Sequence, residues 1–119
     1  MQNQPKQDLR IVVVDPEYLV AMEAERVLQD AGFSKTRIAM AWELSSVIAE
    51  DGLDLVLIDI GIAASAEVGA VVRRSGAKVV VLSFRSQDLE GVDTWPGAPV
   101  VPKPFSDDQI LQAIEDAIL

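Results

Sequence analysis

The chain has 119 residues, half of them hydrophobic, with 19 acidic and 10 basic side chains and a formal net charge of −9. This length suits one domain with a single core, and the negative charge argues against binding to nucleic acid or anionic membranes. Because the chain contains no cysteine and no histidine, it excludes disulfides, thiolate or imidazole metal sites and a phosphohistidine of its own.

The first eight residues are polar and contain no apolar stretch that resembles a signal peptide. No apolar run elsewhere approaches the roughly 20 residues that a membrane-spanning helix needs. We therefore expect a disordered leader over residues 1–8, one domain over residues 9–119, and a cytoplasmic protein with no membrane partner.

Apolar strand-like runs alternate with helix-like stretches along the chain. Strands are predicted at residues 9–14, 36–40, 54–58, 78–82 and 98–101, and helices at residues 20–31, 42–50 and 63–75. A last helix begins at Ser106, where Gln109 three residues on makes a capping-box pattern. Between residues 82 and 98 the helical pattern fails, so the fourth helix should be short or absent. Trp42 and Trp95 are both expected to be partly buried.

This order is a β-α unit repeated about five times. The strands are continuously apolar and do not alternate with polar residues, which is typical of a parallel sheet covered on both faces. Right-handed crossovers then give a doubly wound α/β sheet, in which sites form beyond the carboxyl ends of the strands.

Polar side chains follow four of the predicted strands. Asp15 follows the first strand, Asp59 the third, Ser83 the fourth and Lys103 the last. Carboxylates suit Mg²⁺, and an aspartate can accept a phosphoryl group as a nucleophile. A metal ion, a lysine and a hydroxyl would then stabilise the charge on the phosphoryl oxygens.

With these residues the chain resembles the receiver domains of response regulators over residues 9–119. The motifs are Val-Val-Val-Asp15, Asp-Leu-Val-Leu-Ile-Asp59, Val-Leu-Ser83 and Val-Pro-Lys103-Pro-Phe. The resemblance implies a flavodoxin-like, five-stranded parallel sheet in the order 2-1-3-4-5. It also implies a cis peptide bond after Lys103.

The resemblance also implies roles for these residues. Asp59 would be the phosphoacceptor, Ser83 would sense the phosphoryl group through its hydroxyl, and Lys103 would contact that group. Asp15 and Asp59 would bind Mg²⁺, and Glu17 is a further candidate ligand.

The chain departs from the receiver pattern at several positions. Pro16 stands where receivers carry a second acid, and Val100 replaces the usual aromatic switch residue. The weak fourth helix makes the chain similar to atypical single-domain receivers. We hypothesise that segment 84–97 replaces the aromatic residue as the switch by becoming ordered when Ser83 engages the phosphate.

Two functions follow from the resemblance. The first is a stand-alone receiver, not an enzyme, that accepts a phosphoryl group from a histidine kinase or phosphotransfer protein and signals to a protein effector. The alternative is a pseudo-receiver, an interaction module that acts without phosphorylation because its metal site is degenerate.

A flavin-binding protein or a phosphatase on the same fold is disfavoured. A flavin-mononucleotide binder would carry a phosphate-cradling loop after the first strand, and Asp15-Pro16-Glu17 has the wrong charge for such a loop. In addition, Gly61 stands where a haloacid-dehalogenase-like phosphatase would carry a second aspartate.

Overall fold

The computed structural model describes residues 5–118 and, for Asp51, only the backbone. Within this range, Lys6–Asp8 forms a single 3-10 turn. Residues 1–4 of the expected disordered leader, and Leu119 at the end of the expected domain, lie outside the described residues. The leader and the domain boundary therefore stay predictions.

Five strands form one parallel sheet in the order β2-β1-β3-β4-β5, which confirms the predicted topology. The strands are β1 (Ile11–Val14), β2 (Thr36–Ile38), β3 (Leu55–Asp59), β4 (Lys78–Ser83) and β5 (Val100–Pro102). All carboxyl ends therefore lie at one edge of the sheet.

Five helices within residues 5–118 cover the sheet. They are α1 (Tyr18–Asp30), α2 (Leu44–Asp51), α3 (Ile60–Ala63), α4 (Ala66–Ser75) and α5 (Asp107–Ile118). Helix α1 packs against α5 on one face, and α2 packs against α4 on the other. None of the helices in residues 5–118 has the length and apolar composition required to cross a membrane.

Strand β1 shows why the strands are continuously apolar. Ile11 and Val13 pack into the core beneath α1 and α5, whereas Val12 and Val14 pack into the core beneath α2 and α4. Since successive side chains point to opposite faces of a strand and both faces of the sheet are covered here, all four residues of this strand are buried.

The helix predicted over residues 63–75 begins later, at Ala66 in α4, and the short helix α3 precedes it. Asp59 caps α3 by accepting hydrogen bonds from the first backbone N–H groups of that helix. Ser65 then caps α4, accepting a bond from the N–H of Val68 at 3.4 Å, because a serine at a helix start competes with continuation of the preceding turn. Gly76, with φ of +73°, ends α4 in the left-handed region.

The capping box predicted for the last helix is confirmed. The N–H of Ser106 donates to the side-chain oxygen of Gln109 at 2.8 Å, and the N–H of Gln109 donates to the Ser106 hydroxyl at 3.2 Å. These two bonds satisfy N–H groups that the helix itself leaves without a partner.

The connection from β4 to β5 contains no α-helix, as predicted. It has one 3-10 turn, Ser86–Asp88. Trp95 anchors the second half of this connection to the helices. Its indole N–H donates to the carbonyl of Ala63 at 3.1 Å, and the guanidinium of Arg73 lies 4.2 Å from the ring centroid. The half-buried position of Trp95 matches the expectation.

The expectation for Trp42 is wrong, because its side chain is 81% exposed. Trp42 lies in the 3-10 turn Ala41–Glu43, which leads into α2. At this point Leu44 takes the buried position, and the indole is left outside the core.

Candidate functional site

The four polar residues at the strand ends lie at the carboxyl edge of the sheet, where a doubly wound fold forms its sites. Asp15 directly follows β1, Asp59 is the last residue of β3, Ser83 is the last residue of β4 and Lys103 directly follows β5. The parallel pairing of these strands brings together residues that are far apart in the sequence.

Lys103 joins the two aspartates. Its Nζ lies 2.8 Å from Asp15 Oδ2 and 2.8 Å from Asp59 Oδ1. The side chains of Lys103 and Asp15 are 2% and 0% exposed, whereas that of Asp59 is 16% exposed. Two carboxylates against one ammonium leave one excess negative charge, and Asp59 is the carboxylate of this network that a reactant can reach.

The charge of Lys103 is maintained by its partners. Burial alone would lower the pKa of this ammonium. The hydrogen bonds that it donates to Asp15 and Asp59, together with the attraction of their charges, outweigh burial, and the pKa is raised. Lys103 therefore remains a cation at neutral pH and can balance negative charge at the edge of the sheet.

Backbone N–H groups hold the remaining carboxylate oxygens in place. Asp59 Oδ2 accepts from Gly61 at 2.9 Å and from Ile62 at 3.2 Å. Asp15 Oδ1 accepts from the N–H of Glu17 at 2.9 Å. Both carboxylates thus have fixed orientations, which is what positioned catalysis requires.

Ser83 is buried at the same edge, but its hydroxyl is engaged elsewhere. The hydroxyl donates to Asp88 Oδ2 at 2.7 Å and accepts from the N–H of Arg85 at 3.0 Å. The backbone of Ser83 is nevertheless linked to the site, because its carbonyl accepts from the N–H of Lys103 at 2.8 Å.

Sequence reasoning missed two residues near this site. No sequence motif around Asp88 indicates that its carboxylate bonds to Ser83. Phe84 is 61% exposed, and its ring centroid lies 4.5 Å from Lys103 Nζ, which is cation–π contact distance. The cis peptide bond between Lys103 and Pro104, implied by the resemblance, is present.

The donor set for a metal ion is small. No group of three or more acidic side chains among the described residues is arranged to hold a metal ion. Pro16 and Glu17 are both exposed. Asp15 and Asp59 both contact the ammonium of Lys103, however, so their carboxylates lie close together. Two carboxylates are enough for Mg²⁺ when phosphate oxygens and waters supply the remaining ligands.

Comparisons with known proteins bear on the fold. No protein-family model matches the sequence, and no curated protein matches it. Among solved structures, the chain is similar to the receiver domain of PhyR from Erythrobacter litoralis, with 20% identity over 92% of this chain and 88% of that one and a TM-score of 0.72. It is also similar to the BeF3-activated SdrG of Pseudomonas melonis Fr1, with 21% identity over 92% and 96% of the two chains and a TM-score of 0.73.

A longer protein shows the same similarity. PhyR of Brucella abortus is 22% identical over 92% of this chain, with a TM-score of 0.69, but the match covers only 47% of that protein. The chain thus spans about half the length of such full-length response regulators. At these identities the structures establish the architecture, and the chain has the fold of a response-regulator receiver domain.

Proposed function

We propose that the chain is a phosphoryl-accepting receiver of two-component signalling, with Asp59 as the phosphoacceptor. The observation that carries this proposal is the network in which Lys103 contacts both Asp15 and Asp59 at 2.8 Å. Within it, the partly exposed carboxylate has an adjacent ammonium to balance the incoming phosphoryl charge.

The proposed reaction transfers a phosphoryl group from a histidine of a kinase or phosphotransfer protein. A carboxylate oxygen of Asp59 forms a bond to phosphorus while the bond from phosphorus to the imidazole nitrogen breaks, and the imidazole leaves as a neutral group after taking up a proton. Lys103 stabilises the charge on the phosphoryl oxygens through the ammonium that it already presents to this edge.

Mg²⁺ would be held by Asp15 and Asp59, and it would supply further charge neutralisation for the phosphoryl oxygens. Glu17 remains the candidate third ligand, since it follows Asp15 by two residues. Because Pro16 contributes no carboxylate, we expect this site to bind Mg²⁺ more weakly than a site with three acids.

The chain is better suited to pass its signal to a protein than to bind nucleic acid, because its net charge of −9 repels phosphate backbones. One of the similar structures, PhyR of Bartonella quintana, is described as an anti-anti-sigma factor, which is a protein that acts on another protein. We propose that this chain is likewise a regulator that acts on an effector protein, and that it does so in the cytoplasm.

Beryllofluoride, a phosphoryl mimic, tests the proposal. Amide NMR spectra should shift around Asp59, Ser83 and Lys103 only when Mg²⁺ is present. Asp59→Asn should abolish the shifts, whereas Asp93→Asn, at an exposed acid outside the site, should retain them. Absence of any shift at millimolar Mg²⁺ would contradict the proposal and favour the pseudo-receiver.

A further inference from the structure

A closed turn follows β4 beside the site, and we refer to residues 83–88 as the Ser83 turn. Its central contact is the 2.7 Å bond from the Ser83 hydroxyl to Asp88 Oδ2. The N–H of Arg85 donates to the same hydroxyl oxygen at 3.0 Å, and Arg85 Nε lies 3.6 Å from Asp88 Oδ2. Ser83 is buried, and the side chain of Asp88 is only 13% exposed.

These contacts occupy the hydroxyl of Ser83. A serine hydroxyl has a single proton to donate, and here that proton goes to a carboxylate, which is a strong acceptor. While this bond exists, the hydroxyl cannot donate to a phosphoryl oxygen on Asp59. Asp88 and a phosphoryl group therefore compete for the same proton.

We propose that Asp88 is an autoinhibitory acceptor that holds the Ser83 hydroxyl in the unphosphorylated state and is displaced when Asp59 carries a phosphoryl group. This inference rests on the proposed function and names the residue that regulates it.

The fold allows this exchange to occur without disturbing the sheet. The backbone of Ser83 is held in β4 by pairing with β5, including the 2.8 Å bond from the N–H of Lys103. In the proposed exchange, therefore, the side chain of Ser83 moves while the strand keeps its pairing. Asp88, in contrast, lies in a three-residue 3-10 turn, a short element that few hydrogen bonds stabilise.

Release of Asp88 would change an exposed surface. The Ser83 turn would lose the side-chain bond between Ser83 and Asp88. Phe84, which covers the ammonium of Lys103 at 4.5 Å, belongs to the same turn. Leu89, 42% exposed, follows directly. Phosphorylation would thus rearrange residues 84–89. This segment is shorter than residues 84–97, the switching segment hypothesised from the sequence.

The test measures beryllofluoride affinity in the presence of Mg²⁺ for wild type, Asp88→Ala and Asp88→Asn. We expect Asp88→Ala to bind about tenfold more tightly, since one hydrogen bond to a charged acceptor no longer has to be broken. Asp88→Asn keeps a weaker acceptor and should show a smaller gain. Asp93→Ala removes the same charge from the same connection and should leave the affinity unchanged.

Ser83→Ala supplies the second half of the test. In a Ser83→Ala background, Asp88→Ala should bring no further gain, because the competition needs the hydroxyl. Equal affinities for wild type and Asp88→Ala, or a gain that persists without Ser83, would overturn the autoinhibitory role while leaving the receiver function intact. Absence of binding in every variant would overturn the receiver function and the autoinhibition together.

Discussion

Replacing Lys103 with methionine should destabilise the fold by about 3 kcal/mol at neutral pH. The substitution keeps an apolar stem of similar length but removes the ammonium from between Asp15 and Asp59, whose side chains are 0% and 16% exposed. Removing one partner of a buried ion pair costs ~3–5 kcal/mol. We expect the lower end of this range because Asp59 keeps some contact with water.

Urea unfolding is the assay. With a slope of about 1–3 kcal/mol per molar, the midpoint should fall by about 1–3 M. Lys78→Met is the matched control: this lysine is exposed at the start of β4, so its loss should change the unfolding free energy by less than about 0.5 kcal/mol.

A second substitution separates charge from packing. Adding Asp59→Asn to Lys103→Met removes one of the two uncompensated carboxylates and should restore at least about 1 kcal/mol. A loss in Lys103→Met no larger than that in Lys78→Met, or no recovery in the double variant, would refute the electrostatic account of this network.

Three further predictions concern other contacts. Trp95→Phe should cost about 1 kcal/mol of unfolding free energy through the lost indole bond to Ala63, whereas Trp42→Phe should cost less than about 0.5 kcal/mol; equal urea midpoints would contradict this. Ser106→Ala should cost about 1 kcal/mol through loss of the helix cap, and an unchanged melting temperature would count against it. Although burial opposes the shift, the carboxylates of Asp15 and Asp59 raise the pKa of Lys103 above 10.5. The stability that the charged lysine gives to the fold is therefore complete below pH 10.5 and is lost as the pH rises through the raised pKa. The difference in unfolding free energy between wild type and Lys103→Met should therefore narrow at high pH, and a constant difference would argue against this sign.

The convergence of the strand ends could be predicted from the sequence because four of the five predicted strands are followed by a polar residue. Val14 gives way to Asp15, and Ile58 gives way to Asp59. Once the strands are parallel, their carboxyl ends must share an edge. The roles assigned to these residues stay predictions, since geometry alone does not show phosphorylation or metal binding.

Other features depend on local geometry that no sequence period encodes. Asp88 reaches the Ser83 hydroxyl only because a 3-10 turn folds the chain back on itself. Trp42 and Trp95 have the same side chain, yet Trp95 finds a carbonyl partner at Ala63 and Trp42 remains in solvent. Such outcomes are decided by tertiary packing, which overrides residue preference.

The Lys103 network also links the first strands of the sheet to the last one. Lys103 is separated by 88 residues from Asp15 and by 44 residues from Asp59, so the cation arrives only with the last strand. Before then, β1 and β3 can pair only by bringing two carboxylates to neighbouring strand ends, and like charges at short range repel. We therefore expect β1 and β3 to pair less stably before β5 joins the sheet, so that the sheet should form cooperatively. A chain truncated before residue 103 should expose this unbalanced pair and lose cooperative unfolding.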